Sequence, residues 1–388
     1  MEQEILKIVD EEFPHLDKGI FLNAAHVVIP PKSVLQAYNS FTEKYVENLA
    51  KGVVDDAWGI VEQARSDVAA LINADKDEIG FVKNTAEAIG IIASGFPFSK
   101  NDNVILCDQE HPSNLFPWIS LHEQKGVELK IVKNETLDIS ESEFIDAADE
   151  NTKAIVISAV QFTTGVFTTL REIGAFCRKN NILFIVDGIQ AIGRMKIDVR
   201  KMNIDYLGCG SNKGLLSMLG AGFVYCRKEL VPKIIPPYVG YQSVDNFISP
   251  PALTSNFEKI FWKNDARRFE AGNLNYAGIA AIQAGVQLLN KIGIENIQKR
   301  VLDLQKNFID LVSDLSIPWR TPISNVQHWS GILCAYYDEE NEEKVKEVLH
   351  RNKLILTMRG GYMRIALNFY NKEEHIDQLY LAFKEIYS

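Results

Sequence analysis

From about residue 60 to 230 the chain alternates amphipathic stretches with short runs of Val, Ile and Phe. The clearest runs are Val104-Ile105-Leu106, Ala154 to Ser158, Ile182 to Val186 and Tyr206-Leu207, each followed within a few residues by polar or glycine-containing sequence. All-apolar runs of this length, separated by helical stretches, predict a mainly parallel sheet covered by helices on both faces. The loops after the runs lie at strand C-terminal ends, where open α/β sheets place their ligand sites. Near residue 276 the rhythm changes. Tyr276 to Leu315 reads as long helical sequence broken near Gly293. A strand (Gly331 to Tyr337), a charged helix (Glu340 to Arg351), two strands (Leu354 to Met358 and Tyr362 to Leu367) and a final helix (Lys372 to Tyr387) follow. The pattern predicts a large α/β domain over 20–275 and a small α+β domain over 276–388, the latter joined by the N-terminal segment 1–19. Residues 231–267, with five of the thirteen prolines, read as an extended excursion.

Composition narrows the class. The 388 residues are 46% hydrophobic and 24% charged, without low-complexity tracts, as in a folded globular protein. Lys and Arg (41) against Asp and Glu (51) give a net charge of −10, which repels phosphate backbones and anionic membrane surfaces, so neither is an expected partner. The first residues show no basic segment followed by an apolar stretch, and no apolar run approaches the ~18 residues of a spanning helix; the expected location is cytoplasmic. Five scattered cysteines without a C-x-x-C pair suit small buried apolar positions better than a disulfide framework or a metal site.

Candidate chemistry concentrates between Ile182 and Arg227. The run Ile-Leu-Phe-Ile-Val ends at Asp187-Gly188-Ile189-Gln190, which places a carboxylate at a strand's C-terminal edge. Twenty-three residues beyond Gln190 stands Lys213, in the small-residue loop Gly210-Ser211-Asn212-Lys213-Gly214. A nucleotide loop would need G-x-G-x-x-G or G-x-x-x-x-G-K-[ST], and neither spacing occurs here. As isolated residues, Asp187 and Lys213 would be a loop cap and a solvated turn residue. The third reading pairs a Schiff-base lysine with the carboxylate that keeps a pyridine nitrogen protonated.

The order Val186-Asp187-Gly-Ile-Gln190, Asp205-Tyr-Leu, Ser211-Asn212-Lys213 and Gly220-Ala-Gly222-Phe223-Val-Tyr225 resembles the pyridoxal-phosphate enzymes of the class V aminotransferase and cysteine desulfurase family. Phe21-Leu22-Asn23-Ala24-Ala25, Glu78 to Ala88, Arg268-Phe269-Glu270-Ala271-Gly272-Asn273 and Met363-Arg364-Ile365-Ala366-Leu367 extend the match over nearly the whole chain. The resemblance implies fold type I, with a seven-stranded, mainly parallel sheet and a small α+β domain, pyridoxal 5′-phosphate as cofactor and an amino acid as substrate. It also implies a homodimer, in which Asn273 reaches the neighbour's phosphate. It gives His111, in Glu110-His111-Pro112-Ser113-Asn114, the place of the ring-stacking histidine, and Gln161 that of an amide facing the cofactor oxygen, with Phe162 one residue out of register. It sets Ser211 and Asn212 beside the cofactor and Ala25 at the substrate. Thr85 and Ala86 open a helical stretch after the strand Ile79 to Val82, so the hydroxyl and backbone N–H groups there suit a phosphate; an ordinary N-cap is the alternative. Gln190 can hydrogen-bond the phenolic oxygen. Arg364, inside an apolar strand, suits a bidentate substrate carboxylate, with Arg359 a second candidate; the alternative for Arg364 is a structural ion pair. Three departures stand out: Asn212 replaces the family's usual His, Asn273 its usual Thr, and no cysteine precedes the Arg364 strand. The last disfavours persulfide-forming chemistry and favours transamination, ahead of a lyase that breaks a Cβ bond or an epimerase.

Overall fold

The computed structural model describes residues 2–245 and 260–388; part of the proline-rich excursion lies outside them. Seven strands form the main sheet: β2 (Ile79–Val82), β3 (Asn103–Cys107), β4 (Glu128–Val132), β5 (Thr152–Ser158), β6 (Leu183–Asp187), β7 (Tyr206–Gly210) and β8 (Gly222–Cys226). Their order is β2-β8-β7-β6-β5-β3-β4, and β8 alone runs antiparallel to its two neighbours. Strands β3, β7 and β8 are buried along their whole length, as expected of strands covered on both faces.

Among the described residues eleven α-helices accompany the strands: α1 (Glu2–Glu12), α2 (Lys32–Glu47), α3 (Val53–Ile72), α4 (Thr85–Gly95), α5 (Pro112–Lys125), α6 (Glu141–Asp146), α7 (Leu170–Asn180), α8 (Tyr276–Ile292), α9 (Ile294–Leu311), α10 (Glu342–Arg351) and α11 (Glu373–Tyr387). Helices α4 and α5 cover one face, where Ile89, Ile92, Trp118 and Leu121 close a core over Val104, Val156 and Ile185. On the other face α3 and α7 bury Val61, Val68, Ile173 and Cys177 against Ile105, Ile157 and Val186.

A second, three-stranded antiparallel sheet has the order β11 (Thr357–Arg359), β12 (Tyr362–Ala366), β9 (Ile332–Tyr336). The expected strand Leu354 to Met358 is instead two short strands in different sheets. β10 (Leu354–Ile355) pairs with β1 (Ile20–Phe21), and β11 pairs with β12. Leu356 falls between them, so the chain changes partner there. The expected division at residue 275 cuts across two associations: α8 packs on α2 and α3, and Ile20–Phe21 joins Leu354–Ile355. Two residues, Gly360 (φ 55) and Gly361 (φ 75), close the β11–β12 hairpin, both in the left-handed region that such a tight turn requires.

Candidate active site

Asp187 is the last residue of β6, flanked in register by Ser158 on β5 and Gly208 on β7, and is only 2% exposed. Its Oδ1 accepts the Ile189 N–H at 3.0 Å. Burial pushes its carboxyl pKa up and the nearby charge of Glu110 adds to that, while the Ile189 hydrogen bond and the charge of Lys213 pull it back. A buried carboxylate in this state gains from any positively charged N–H placed before it.

Lys213 follows β7 in a loop fastened on several sides. The Ser211 hydroxyl faces the Met218 and Ala221 carbonyls at 2.7 and 2.8 Å, and Val28 N–H donates to the Asn212 carbonyl at 2.9 Å. A Cβ on Gly214 would stand 1.9 Å from the Ile192 carbonyl oxygen, and one on Gly193 (φ +84) would stand 2.1 Å from that of Gly214. The two backbones therefore touch, and this contact sets the lysine loop against the turn that follows Asp187. Burial lowers the pKa of Lys213 and the charges of Arg364 and Arg194 act the same way, whereas Asp187 opposes them. The net direction favours the neutral amine, the form that attacks a carbonyl or removes a proton.

The Ser211 hydroxyl thus holds the loop together. At the start of α4 the N-cap is Asn84, whose side chain accepts the Glu87 N–H, so Thr85 is not the cap. The Thr85 hydroxyl oxygen instead accepts the Gly210 N–H at 3.1 Å, which ties this helix start to the end of β7. Ala86 is exposed in the first turn, and the N–H groups of a helix start favour an anion.

His111 caps α5: its Nδ1 accepts the Ser113 N–H at 3.1 Å, which leaves the ring proton on Nε2. Its ring meets Phe162 edge-on at 4.8 Å between centroids. Burial, followed by the charges of Lys213, Arg359 and Arg364, lowers its pKa to about 4, so the ring is neutral at pH 7. An NMR titration of His111 is expected to show a midpoint near 4; an ordinary midpoint would mean that these three cations do not converge on it.

Gln161 is fully buried, with Nε2 donating to Glu110 at 2.9 Å, while Phe162 supplies the ring against His111. Gln190 Nε2 donates to the backbone carbonyl of Ala25, also at 2.9 Å. Both glutamines keep a buried side-chain oxygen without a partner, a condition that native interiors seldom tolerate unless something else supplies one. A phosphate-suited helix start, two orphaned amide oxygens, a buried carboxylate and a lysine whose pKa burial lowers to about 8 together fit pyridoxal phosphate.

Arg364 lies on β12 and is 7% exposed. Its Nη1 donates to the Phe162 carbonyl at 3.0 Å and its Nε has no partner. The ion-pair alternative does not hold, since among the described residues no carboxylate pairs with it. Arg359, exposed at the hairpin, bears electrostatically on both His111 and Arg364. Asn273 stands apart. Its side-chain oxygen accepts the Tyr241 hydroxyl, and it lines a cavity of about 670 Å³ with Lys83, Glu87 and Tyr238, a lining that includes neither Lys213 nor Asp187.

Sequence reasoning missed the structural role of Glu110, buried and holding Asn114, Gln161 and both the N–H and hydroxyl of Ser158. Its only signal was its place beside His111. It also missed Arg194, fully buried and donating to the Ser330 and Leu367 carbonyls, and Arg320, for which periodicity offers no signal.

The family described as aminotransferase class-V matches residues 20–379. A probable cysteine desulfurase of Methanothermobacter thermautotrophicus is 30% identical, over 97% of both chains. An uncharacterized aminotransferase of Schizosaccharomyces pombe is 33% identical over 82% of this chain and 80% of its own. Among solved structures, the apo cysteine desulfurase of Thermococcus onnurineus superposes with a TM-score of 0.87 at 23% identity, over 98% of both chains. A cystine C-S lyase bound to cysteine persulfide gives 0.88 at 20% identity, over 97% of this chain and 100% of that one. At these identities the two structures speak to the fold alone.

Proposed function

The chain belongs to the class-V aminotransferase family, and on that footing we propose that it transfers the amino group of an α-amino acid. It is a pyridoxal-phosphate-dependent enzyme of that class. When bound, pyridoxal phosphate draws electrons away from the substrate Cα and so weakens the bonds there. This chain's residues supply the rest. Arg364 holds the α-carboxylate and thereby fixes which Cα bond is aligned. Lys213, with its pKa lowered by burial, takes the Cα proton and, in a transfer, would return it to the cofactor carbon bonded to the amino nitrogen. With the cofactor bound, Asp187 would stabilise a proton on its ring nitrogen, Gln190 and Gln161 would present the side-chain oxygens that now lack a partner, and the uncharged His111 would not compete for the carboxylate.

The observation that carries the choice of transfer over persulfide chemistry is the state of the thiols. All five cysteines are buried and burial pushes every one of their pKa values up, that of Cys334 to about 12. A nucleophilic cysteine needs a lowered pKa and access. The two-residue hairpin before Arg364 leaves no loop on which another could sit. The second reading, a lyase that breaks a Cβ–S bond without a protein thiol, keeps the sulfur substrate that the printed name of the Methanothermobacter relative, probable cysteine desulfurase, indicates.

The two separate in one experiment. Purified holoenzyme incubated with amino acids is expected to turn over only when a 2-oxo acid is supplied. Pyruvate with ammonia or sulfide, formed without any 2-oxo acid, would replace transfer by the lyase reading.

The proposed assembly is a homodimer in the cytoplasm. Leu219, Ile235, Tyr238 and Val239 are each at least half exposed and Tyr238 also lines the Asn273 cavity; exposed apolar side chains of this kind suit contact with a second copy. Across such an interface Asn273 would serve the neighbour's phosphate.

A further inference from the structure

The register of the small sheet collects arginines on one face. Thr357, Arg364 and Cys334 lie opposite one another across β11, β12 and β9, as do Arg359, Tyr362 and Tyr336. Directly opposed residues share a face of an antiparallel sheet, and residues two apart on one strand do as well. Arg359 and Arg364 therefore project from the same side. Arg320 joins them there, with its guanidinium 5.1 Å from the Tyr362 ring centroid and 5.6 Å from that of Tyr336. It also donates to the Tyr336 hydroxyl and, through Nε at 3.0 Å, to the Thr163 carbonyl. Thr163 follows Phe162, whose carbonyl holds Arg364 and whose ring touches His111. Three guanidinium groups thus stand around one tyrosine at the mouth of the site. Among the described residues none of the three forms an ion pair, although the chain carries ten more acidic than basic side chains (51 − 41). Glu339 lies against Gly361 of the same hairpin and pairs with none of them.

One α-carboxylate engages one of these cations. Holding three unpaired guanidiniums together is electrostatically unfavourable, and Arg364 is also largely removed from water. The arrangement becomes favourable when more than one negative group arrives. We propose that Arg320 and Arg359 form a second anion subsite, so that the substrate is an acidic α-amino acid, with its α-carboxylate on Arg364 and its side-chain anion on Arg320 and Arg359. This rests on the reading of Arg364 as the α-carboxylate site.

The test is binding of unreactive acids to the holoenzyme, measured by calorimetry and by the change in the cofactor's visible absorption. Succinate and glutarate are compared with propionate and butyrate. The better dicarboxylate is expected to bind on the order of tenfold more tightly than its monocarboxylate counterpart. Arg320→Gln and Arg359→Gln should each remove most of that ratio and leave monocarboxylate affinity within about twofold, whereas Arg364→Gln should weaken both classes. Retained monocarboxylate binding also shows that each variant is folded. Equal affinity for the two classes in the unaltered enzyme overturns the second subsite and leaves the Arg364 reading standing. A parallel loss of both classes in Arg320→Gln overturns it too, since that is how a mere clasp on residues 162–163 would behave. If neither class binds the unaltered holoenzyme, the reading of Arg364 fails with it.

Discussion

A Lys213→Ala chain is expected to lose about three orders of magnitude or more in turnover while still taking up pyridoxal phosphate. The two outcomes separate because different residues carry them. The helix start at Thr85, the carboxylate of Asp187 and the amides of Gln161 and Gln190 stay in place when the lysine side chain is removed, and none of them hydrogen-bonds to it. What disappears is an amine whose pKa burial lowers to about 8 and whose loop the Gly193–Gly214 backbone contact sets against the turn after Asp187. Borohydride should fix the cofactor to Lys213 in the native chain and to nothing in the variant, and a small exogenous amine should restore part of the rate by acting as the missing base. Normal turnover in the variant, or a covalent label that persists after borohydride treatment, would remove Lys213 from its role.

The helical and strand rhythm was legible where burial is complete. Runs such as Val104 to Leu106 and Ile182 to Val186 are covered on both faces, so their composition alone separates them from their surroundings. Leu354 to Met358 misled for the converse reason: a continuous apolar run does not reveal that its two halves pair with different strands, Ile20–Phe21 and Tyr362–Ala366. At the site, residues at strand ends could be read from the sequence, because Asp187 and Lys213 each follow an apolar run. The loop fastening by Ser211 and Thr85 could not, since a hydroxyl among small and polar neighbours looks the same whether or not it ties a loop down; the Met218 and Ala221 carbonyls and the Gly210 N–H reveal it. Arg320 was invisible, because its place is set by two tyrosine rings from strands that lie later in the chain.

Replacing Arg364 by Gln is expected to separate activity from stability in opposite directions. Binding of a carboxylate by a buried, bidentate guanidinium is worth about 1.5–3 kcal/mol per charged hydrogen bond, so kcat/KM should fall by about two to four orders of magnitude when both are lost. The folded protein, by contrast, gives up a charge that it holds at a cost. Burial lowers the Arg364 pKa, its Nε has no partner and no carboxylate pairs with it among the described residues. The sign follows: a cation whose pKa is lower in the folded than in the unfolded state is less stable as a charge when folded, and at every working pH it is charged in both. A Gln amide keeps a donor for the Phe162 carbonyl and carries no charge to desolvate. Melting of the apoprotein without substrate should therefore rise by about one to two degrees, on the order of 1 kcal/mol, while catalysis collapses. Arg364→Lys should restore little activity, because an ammonium cannot form the two parallel bonds. A variant that lost stability along with activity would show that Arg364 serves the fold through a partner of its own, and its place at the substrate carboxylate would fall.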